Sequence, residues 1–252
     1  MADGAFKDHF SQQARAYRTY RPSYPAALFA HIASLAGKHN LAWDCATGTG
    51  QAALGLTPYF QKIFASDASG KQLANASRHS KIVYCRATAE NAPLVSKSVD
   101  LIVVAQALHW FDFGKFYAEV ERVLEREGLI AVWSYNLLVV TPAVDAIIRQ
   151  FYRNTLAGCW PPERAYVDAG YRSIPFPFEK IAAPQFAMQA EWSLAQLIGY
   201  LSTWSAVQKY REKHAADPLD SVRSDLARAW GELRRTRKIS WPLTLLLGKP
   251  RR

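Results

Sequence analysis

The chain has few cysteines, no long apolar run and no acidic residue in positions 234–252, and each shortage narrows what it can be. Only Cys45, Cys85 and Cys159 occur among 252 residues, without CxxC spacing. Neither a disulfide framework nor a cysteine zinc site is expected from them. No apolar stretch approaches the roughly 18 residues of a membrane span. Lys, Arg, Asp and Gln interrupt the first 30 residues, which leaves no signal-peptide core. The six histidines (9, 31, 39, 79, 109 and 214) show no HxH or HxxxH spacing, so no metal site is expected. A GxSxG elbow and a P-loop are also missing. These shortages point to a soluble cytoplasmic protein.

What is present suits a large folded core. Half of the residues are hydrophobic and eight are Trp, which argues against disorder. The net charge of +10 is unevenly placed: residues 234–252 hold seven basic residues and no acid. Arg234, Arg235, Arg237, Lys238, Lys249, Arg251 and Arg252 could form a phosphate footprint or a solvated loop and tail.

Three parts are expected. Residues 1–40 read as helix, breaker and helix, with Arg21-Pro-Ser-Tyr-Pro25 as the break and Pro25 opening a helix that runs to Gly37. Residues 41–136 alternate strand and helix. Apolar runs at 41–46, 62–66, 81–85, 99–105 and 129–134 predict strands covered on both faces. The spacing of Phe113, Phe116, Tyr117, Val120, Val123 and Leu124 predicts a helix over 112–127, capped by Asp112. Repeated βα units imply a doubly wound, mostly parallel α/β sheet. Residues 137–252 read as a helical lid plus closing antiparallel strands, with strand alternation at 186–192 and 239–247 and helices over 194–213 and 219–233. Pro242 makes its strand an edge or bulged one.

The informative segment is Leu41-Ala-Trp-Asp-Cys-Ala-Thr-Gly-Thr-Gly50. A strand ends in Asp44, two glycines turn the backbone, and a helix start follows with its unpaired N–H groups. Gly48-x-Gly50-x-x-Ala53 also fits a dinucleotide fingerprint. An acid at Asp44 can meet an ammonium but would repel a pyrophosphate. Ile63-Phe-Ala-Ser-Asp67 ends the next strand in a second acid, and Ala89-Glu90 follows the third. Bland readings stand beside these: Asp44 as a cap, Asp67 as a turn residue, Glu90-Asn-Ala-Pro93 as a plain loop.

These residues resemble the class I S-adenosylmethionine-dependent methyltransferases of the type 11 kind, most nearly the trans-aconitate methyltransferase-like subgroup. The resemblance spans nearly the whole chain, through Tyr17…Arg21-Pro-Ser-Tyr-Pro25, the glycine loop, Ala105-Gln-Ala-Leu-His-Trp110 and Tyr200-Leu-Ser-Thr-Trp-Ser205. It implies a Rossmann-like sheet and S-adenosylmethionine as cofactor, with S-adenosylhomocysteine as product. It further implies that Asp44, Ala46, Gly48 and Gly50 hold the methionine part and Asp67 the ribose. Ala68, Ala89 and Glu90 would flank the adenine, Gln106 would lie beneath the sulfonium, and Tyr17 and Arg21 would close over the cofactor. One departure stands out: Ala46-Thr47 replaces the family's more common Gly-Cys. Ala46 is tolerable at negative φ, whereas at positive φ weaker cofactor binding is expected.

Methyl transfer needs orientation and a dry pocket, and a general base only when the acceptor must lose a proton. His109 is the candidate base or acceptor ligand, a packed core histidine being the alternative. Trp110, Trp133, Tyr135 and Trp204 are candidate walls of a substrate cavity, with core packing as the alternative. The expected activity is methylation of a small molecule, with a carboxylate suggested by the resemblance. RNA methylation through the basic C-terminal cluster and a non-catalytic cofactor-binding module are the other readings. No membrane partner is expected, and a monomer or dimer fits.

Overall fold

The computed structural model describes residues 22–251. The apolar runs form parallel strands β1 (Leu41–Cys45), β2 (Lys62–Asp67), β3 (Ile82–Arg86), β4 (Val99–Ala105) and β5 (Leu124–Tyr135). Residues 99–104 are all buried, which is why this strand reads as a continuous apolar run rather than an alternation. Strands β6 (Glu179–Ile181), β7 (Ala187–Trp192) and β8 (Arg237–Lys249) follow later in the chain. The sheet order is β3-β2-β1-β4-β5-β8-β6, with β7 paired to β8. After β1 the chain moves outward through β2 and β3, then crosses back to β4 on the other side of β1. The loops after β1 and β4 therefore diverge, and a crevice opens at the carboxyl ends of these two strands.

One face of the sheet buries helices α1 (Ala26–Leu35) and α2 (Gln51–Leu56). Their approach is close: a Cβ on Gly55 would collide with the Phe29 ring. Beyond β2 comes α3 (Gly70–Ala74), and the opposite face is covered by α4 (Phe113–Val123). There Phe116, Val120 and Val123 pack with Trp43, Ile102 and Val104. The Asp112 side chain caps α4 by accepting the Lys115 N–H at 3.2 Å. The helix expected to reach 127 stops at Val123, because Leu124 is already extended (φ −73°, ψ 133°) and pairs with Val99. Pairing with β4 outweighs the helical spacing, and residues 125–128 bulge out before Leu129 rejoins Leu101.

After β5 come α5 (Pro142–Gln150), which runs on into one π-helical turn, Phe151–Thr155, and then α6 (Arg164–Asp168). Next come α7 (Leu194–Ser202), α8 (Ser205–His214) and α9 (Asp220–Trp230). The single helix expected over 194–213 is two. Trp204 between them is extended (φ −69°, ψ 134°), and its indole packs against Tyr152 and Trp160.

Strand β8 changes partners along its length. Residues 237–242 pair with β7, residues 243–248 with β5, and residues 247–249 with β6. Pro242 stands at the handover, as its ring requires of a strand residue. Because β8 runs antiparallel to β5, its first half projects beyond the carboxyl edge of the sheet, where Ser240 bridges to Val139. Tyr200 of α7 packs on Trp192 and Trp241 of this ribbon. The basic cluster is consequently divided. Arg234, Arg235, Arg237 and Lys238 lie at one end of a 13-residue strand, and Lys249 and Arg251 lie at the other, up to ~40 Å away. Arg237 is also committed, donating to the Trp230 carbonyl at 2.7 Å and lying 5.5 Å over its ring. No described helix is long and apolar enough to cross a membrane.

Candidate active site

The crevice is floored by the loop that joins β1 to α2. Ala46 (φ 56°), Gly48 (φ 58°) and Gly50 (φ 85°) all take the left-handed conformation. At Gly50 glycine is required twice over, by its φ and because a Cβ would collide with the Tyr84 hydroxyl. Ala46 keeps the turn that a glycine would make, at a cost of roughly 1–2 kcal/mol for a Cβ in this region. Ala46 is thus a strained residue in a hydrogen-bonded turn: Thr47 N–H bonds the Ser66 carbonyl at 2.9 Å and Gly50 N–H the Thr47 carbonyl at 3.0 Å.

Asp44 ends β1 fully buried. Its Oδ2 accepts from the Thr47 hydroxyl at 2.5 Å and from the Ala53 N–H at 2.8 Å, so the acid does cap the loop and helix. Its Oδ1 is buried and accepts from none of the described residues. Burial lifts the pKa of Asp44 to about 7, against the opposing pull of the Thr47 and Ala53 bonds. Desolvation outweighs two hydrogen bonds here because no cation among the described residues answers the charge.

Asp67 ends β2. Its Oδ2 accepts the Gly48 N–H and its Oδ1 the Ser69 N–H, each at 2.8 Å. The second acid therefore braces the glycine loop as well as lining the crevice. Beside it, Ala68 accepts Arg86 Nε at 3.1 Å through its carbonyl, Ala89 is buried, and Glu90 Oε1 accepts the Asp112 N–H at 3.2 Å. These residues sit at successive strand ends, β2 and then beyond β3.

Gln106, just beyond β4, has φ 58°. Its amide is already used: Nε2 donates to the Tyr135 carbonyl and Oε1 accepts the Tyr135 N–H, both at 3.1 Å. The side chain ties β4 to the end of β5, and the Gln106 N–H donates to the Trp133 carbonyl at 2.8 Å. The segment before α1 reaches the same place, with Gln51 Nε2 donating to the Pro22 carbonyl at 3.1 Å and the Tyr24 ring 5.3 Å from that of Trp133. Tyr17 and Arg21 lie outside the described residues.

His109 sits in a short 3-10 turn, Leu108–Trp110, after β4. It is buried, and Nδ1 lies 2.8 Å from the Tyr171 hydroxyl. Burial, with the Arg164 guanidinium as a second cause, holds its pKa down to about 3. Such an imidazole is neutral near pH 7 and a weak base. Tyr171 itself is buried and takes φ 57° after Gly170, a strained conformation for an aromatic residue. Half-buried Trp110 stacks obliquely on His109 at 4.9 Å. Trp133 and Tyr135 are buried with Tyr24 and Phe29, and Trp204 is buried against Tyr152 and Trp160.

A feature that sequence reasoning missed is Arg164. Pro161 and Pro162 accept the first amides of its helix, and that helix packs on the His109 turn. Arg164 lies 5.1 Å from the Trp160 ring and 5.4 Å from that of Tyr152. The only signal in the sequence was Trp160-Pro-Pro-Glu163, whose relevance depends on contacts distant along the chain. Tyr171 was missed for the same reason.

Fold and site together define a class, the Rossmann-like α/β methyltransferases. A methyltransferase domain model matches residues 43–153. A Dictyostelium discoideum protein named as a methyltransferase is 33% identical over 251 residues, covering 97% of this chain and 95% of its own. A Saccharomyces cerevisiae protein named as an S-adenosylmethionine-dependent methyltransferase is 30% identical over 128 residues, which are 47% of this chain and 44% of that one. Among solved structures, an Anaeromyxobacter dehalogenans protein described as a type II methyltransferase superposes with a TM-score of 0.86 at 40% identity, over 92% of this chain and 100% of that one. The chain belongs to the class I S-adenosylmethionine-dependent methyltransferases, with a type 11 methyltransferase domain, and is an enzyme.

Proposed function

We propose that this enzyme methylates a small organic acid in the cytoplasm, with S-adenosylmethionine held by Asp44, the Ala46–Gly50 loop, Asp67, Ala68, Ala89 and Glu90. The observation that supports the cofactor assignment is Asp44 Oδ1, a buried acceptor with no partner among the described residues, beside a loop in which a Cβ at Gly48 would meet only open space. Both features fit a ligand that brings an ammonium close to the backbone. When bound, the cofactor supplies an activated methyl group and leaves as S-adenosylhomocysteine.

The setting of His109 supports this acceptor class. With its pKa held to about 3, it is too weak a base to take a proton from an amine, alcohol or phenol near pH 7. An acceptor that is already ionised needs no such help, and a carboxylate is the commonest one. His109 then acts as a neutral hydrogen-bonding group beside Trp110, oriented by Tyr171. The motif likeness to the trans-aconitate methyltransferase-like subgroup supports the same class. RNA is disfavoured because the basic cluster is split between the two ends of β8.

The test is S-adenosylhomocysteine release from S-adenosylmethionine over a panel of small carboxylic acids, with their amides and a structured RNA alongside. Turnover is expected with at least one acid and with neither the amides nor RNA. Turnover on the amides or RNA alone, or on none of the acids, would overturn the acceptor class.

A further inference from the structure

Arg164 is a half-sheltered cation whose hydrogen bonds are only partly used. Its Nε donates to the Tyr152 hydroxyl at 2.8 Å, and its Nη2 donates to Asn136 Oδ1 at 2.7 Å. Its one ion pair among the described residues is long, 3.4 Å from Nε to Asp168 Oδ1, and the Asp168 side chain is itself 41% exposed. The Tyr152 hydroxyl donates to Asp168 as well, at 2.7 Å to Oδ1 and 3.0 Å to Oδ2. Nη1, with two N–H donors, has no partner among the described residues. Three elements fix the guanidinium in place: the π-helical turn that carries Tyr152, the Asn136 that follows β5, and α6 itself. π-Helical turns are found disproportionately at functional sites. The positive field of Arg164 reaches His109, so the cation is close to the crevice end of β4.

We propose that Arg164 is the anion-recognition point of the acceptor site, taking a carboxylate on Nη1, with the Tyr152 and Trp160 rings, packed on each other at 4.5 Å, backing the guanidinium. This rests on the small-acid reading above and names the residue that sets its specificity. A guanidinium binds a carboxylate in the plane of its fork, and its other edge is already fixed by Tyr152 and Asn136. Little ordering is therefore left to be done when the acid binds. Asp168 holds the charge in place when no acceptor is bound, and its weak pairing leaves the outer donors free. Trp160 lies 5.1 Å from the guanidinium and packs on Trp204 at 5.6 Å, so its fluorescence reports on an acid bound there.

The experiment uses the full chain saturated with S-adenosylhomocysteine and follows tryptophan fluorescence. The probes are acetate, benzoate, trans-cinnamate and succinate, each titrated against its neutral amide. The native protein is expected to bind one or more of these acids at least fivefold more tightly than the matching amide. Arg164→Gln is expected to abolish that preference without changing S-adenosylhomocysteine affinity, Arg164→Lys to retain part of it, and Asp168→Asn to strengthen acid binding severalfold. The lysine variant keeps the charge and guards against a folding defect, which a melting curve also checks. Equal binding of every acid and its amide, or no binding of any, would overturn the proposal, as would an unchanged preference in Arg164→Gln. Failure of S-adenosylhomocysteine to bind would instead strike the methyltransferase reading of the site, and the acid titrations would still decide the role of Arg164 on the free protein.

Discussion

The carboxylate of Asp67, at the end of β2, accepts the backbone N–H of Gly48 at 2.8 Å, so the acid of one strand end holds the glycine turn of its neighbour. Asp67→Asn places an amide donor or a weaker neutral acceptor where two N–H groups now converge on a carboxylate. Charge-assisted bonds of this kind are worth about 1.5–3 kcal/mol. The melting temperature is expected to fall by several degrees, and S-adenosylhomocysteine affinity with it. Unchanged melting would show that the brace carries no energy.

Asp44 predicts a pH dependence of definite sign. Its folded pKa of about 7 lies above the unfolded carboxylate value, so its contribution to stability is complete below about pH 4 and is lost as pH rises through 7. Asp44→Asn removes that loss. The melting temperature of the variant minus that of the native protein is expected to grow from pH 5 to pH 8, and other titrating groups cancel in the difference. Cofactor affinity of the native protein should weaken roughly tenfold between pH 7.5 and 6, because the acid must then lose a proton to meet an ammonium. A pH-independent difference would contradict the buried, unpaired state of Oδ1.

Ala46 at φ 56° predicts that Ala46→Gly stabilises the enzyme by about 1 kcal/mol, since a strained Cβ is removed. Thermal melts of the free protein read this directly, and a lower melting temperature would mean that the alanine methyl group packs better than its backbone strains.

Much of the sheet and the glycine loop was legible because buried parallel strands leave short apolar runs, and because acids at Asp44 and Asp67 are out of place in them. Helix ends were less legible. Leu124 continues the helical spacing of α4 but is drawn into pairing with Val99, and Trp204 interrupts an amphipathic run to fill a space between Tyr152 and Trp160. Gln106 stands just beyond β4, and its amide is claimed by Tyr135, a partner on another strand that its local sequence does not announce. Arg164 and Tyr171 gave no local sign, since each matters only through residues far away in sequence.

Tyr171 and His109 supply the remaining prediction. Tyr171→Phe leaves the buried Nδ1 of His109 without a partner, which costs about 1–3 kcal/mol, and a lower melting temperature should report it. With His109 neutral above about pH 3, the kcat profile of the native enzyme should show no limb near pH 6.5. A limb there that disappears in His109→Gln would show a titrating base and reopen the acceptor class.

The central claim is that the crevice between β1 and β4 binds S-adenosylmethionine through the two strand-end acids. Calorimetric titration with S-adenosylhomocysteine tests it most directly, with NAD in parallel and Asp67→Ala as control. The account predicts saturable one-to-one binding, lost or weakened at least tenfold in the variant, and no heat from NAD. Absence of S-adenosylhomocysteine binding, or binding of NAD in its place, would contradict it.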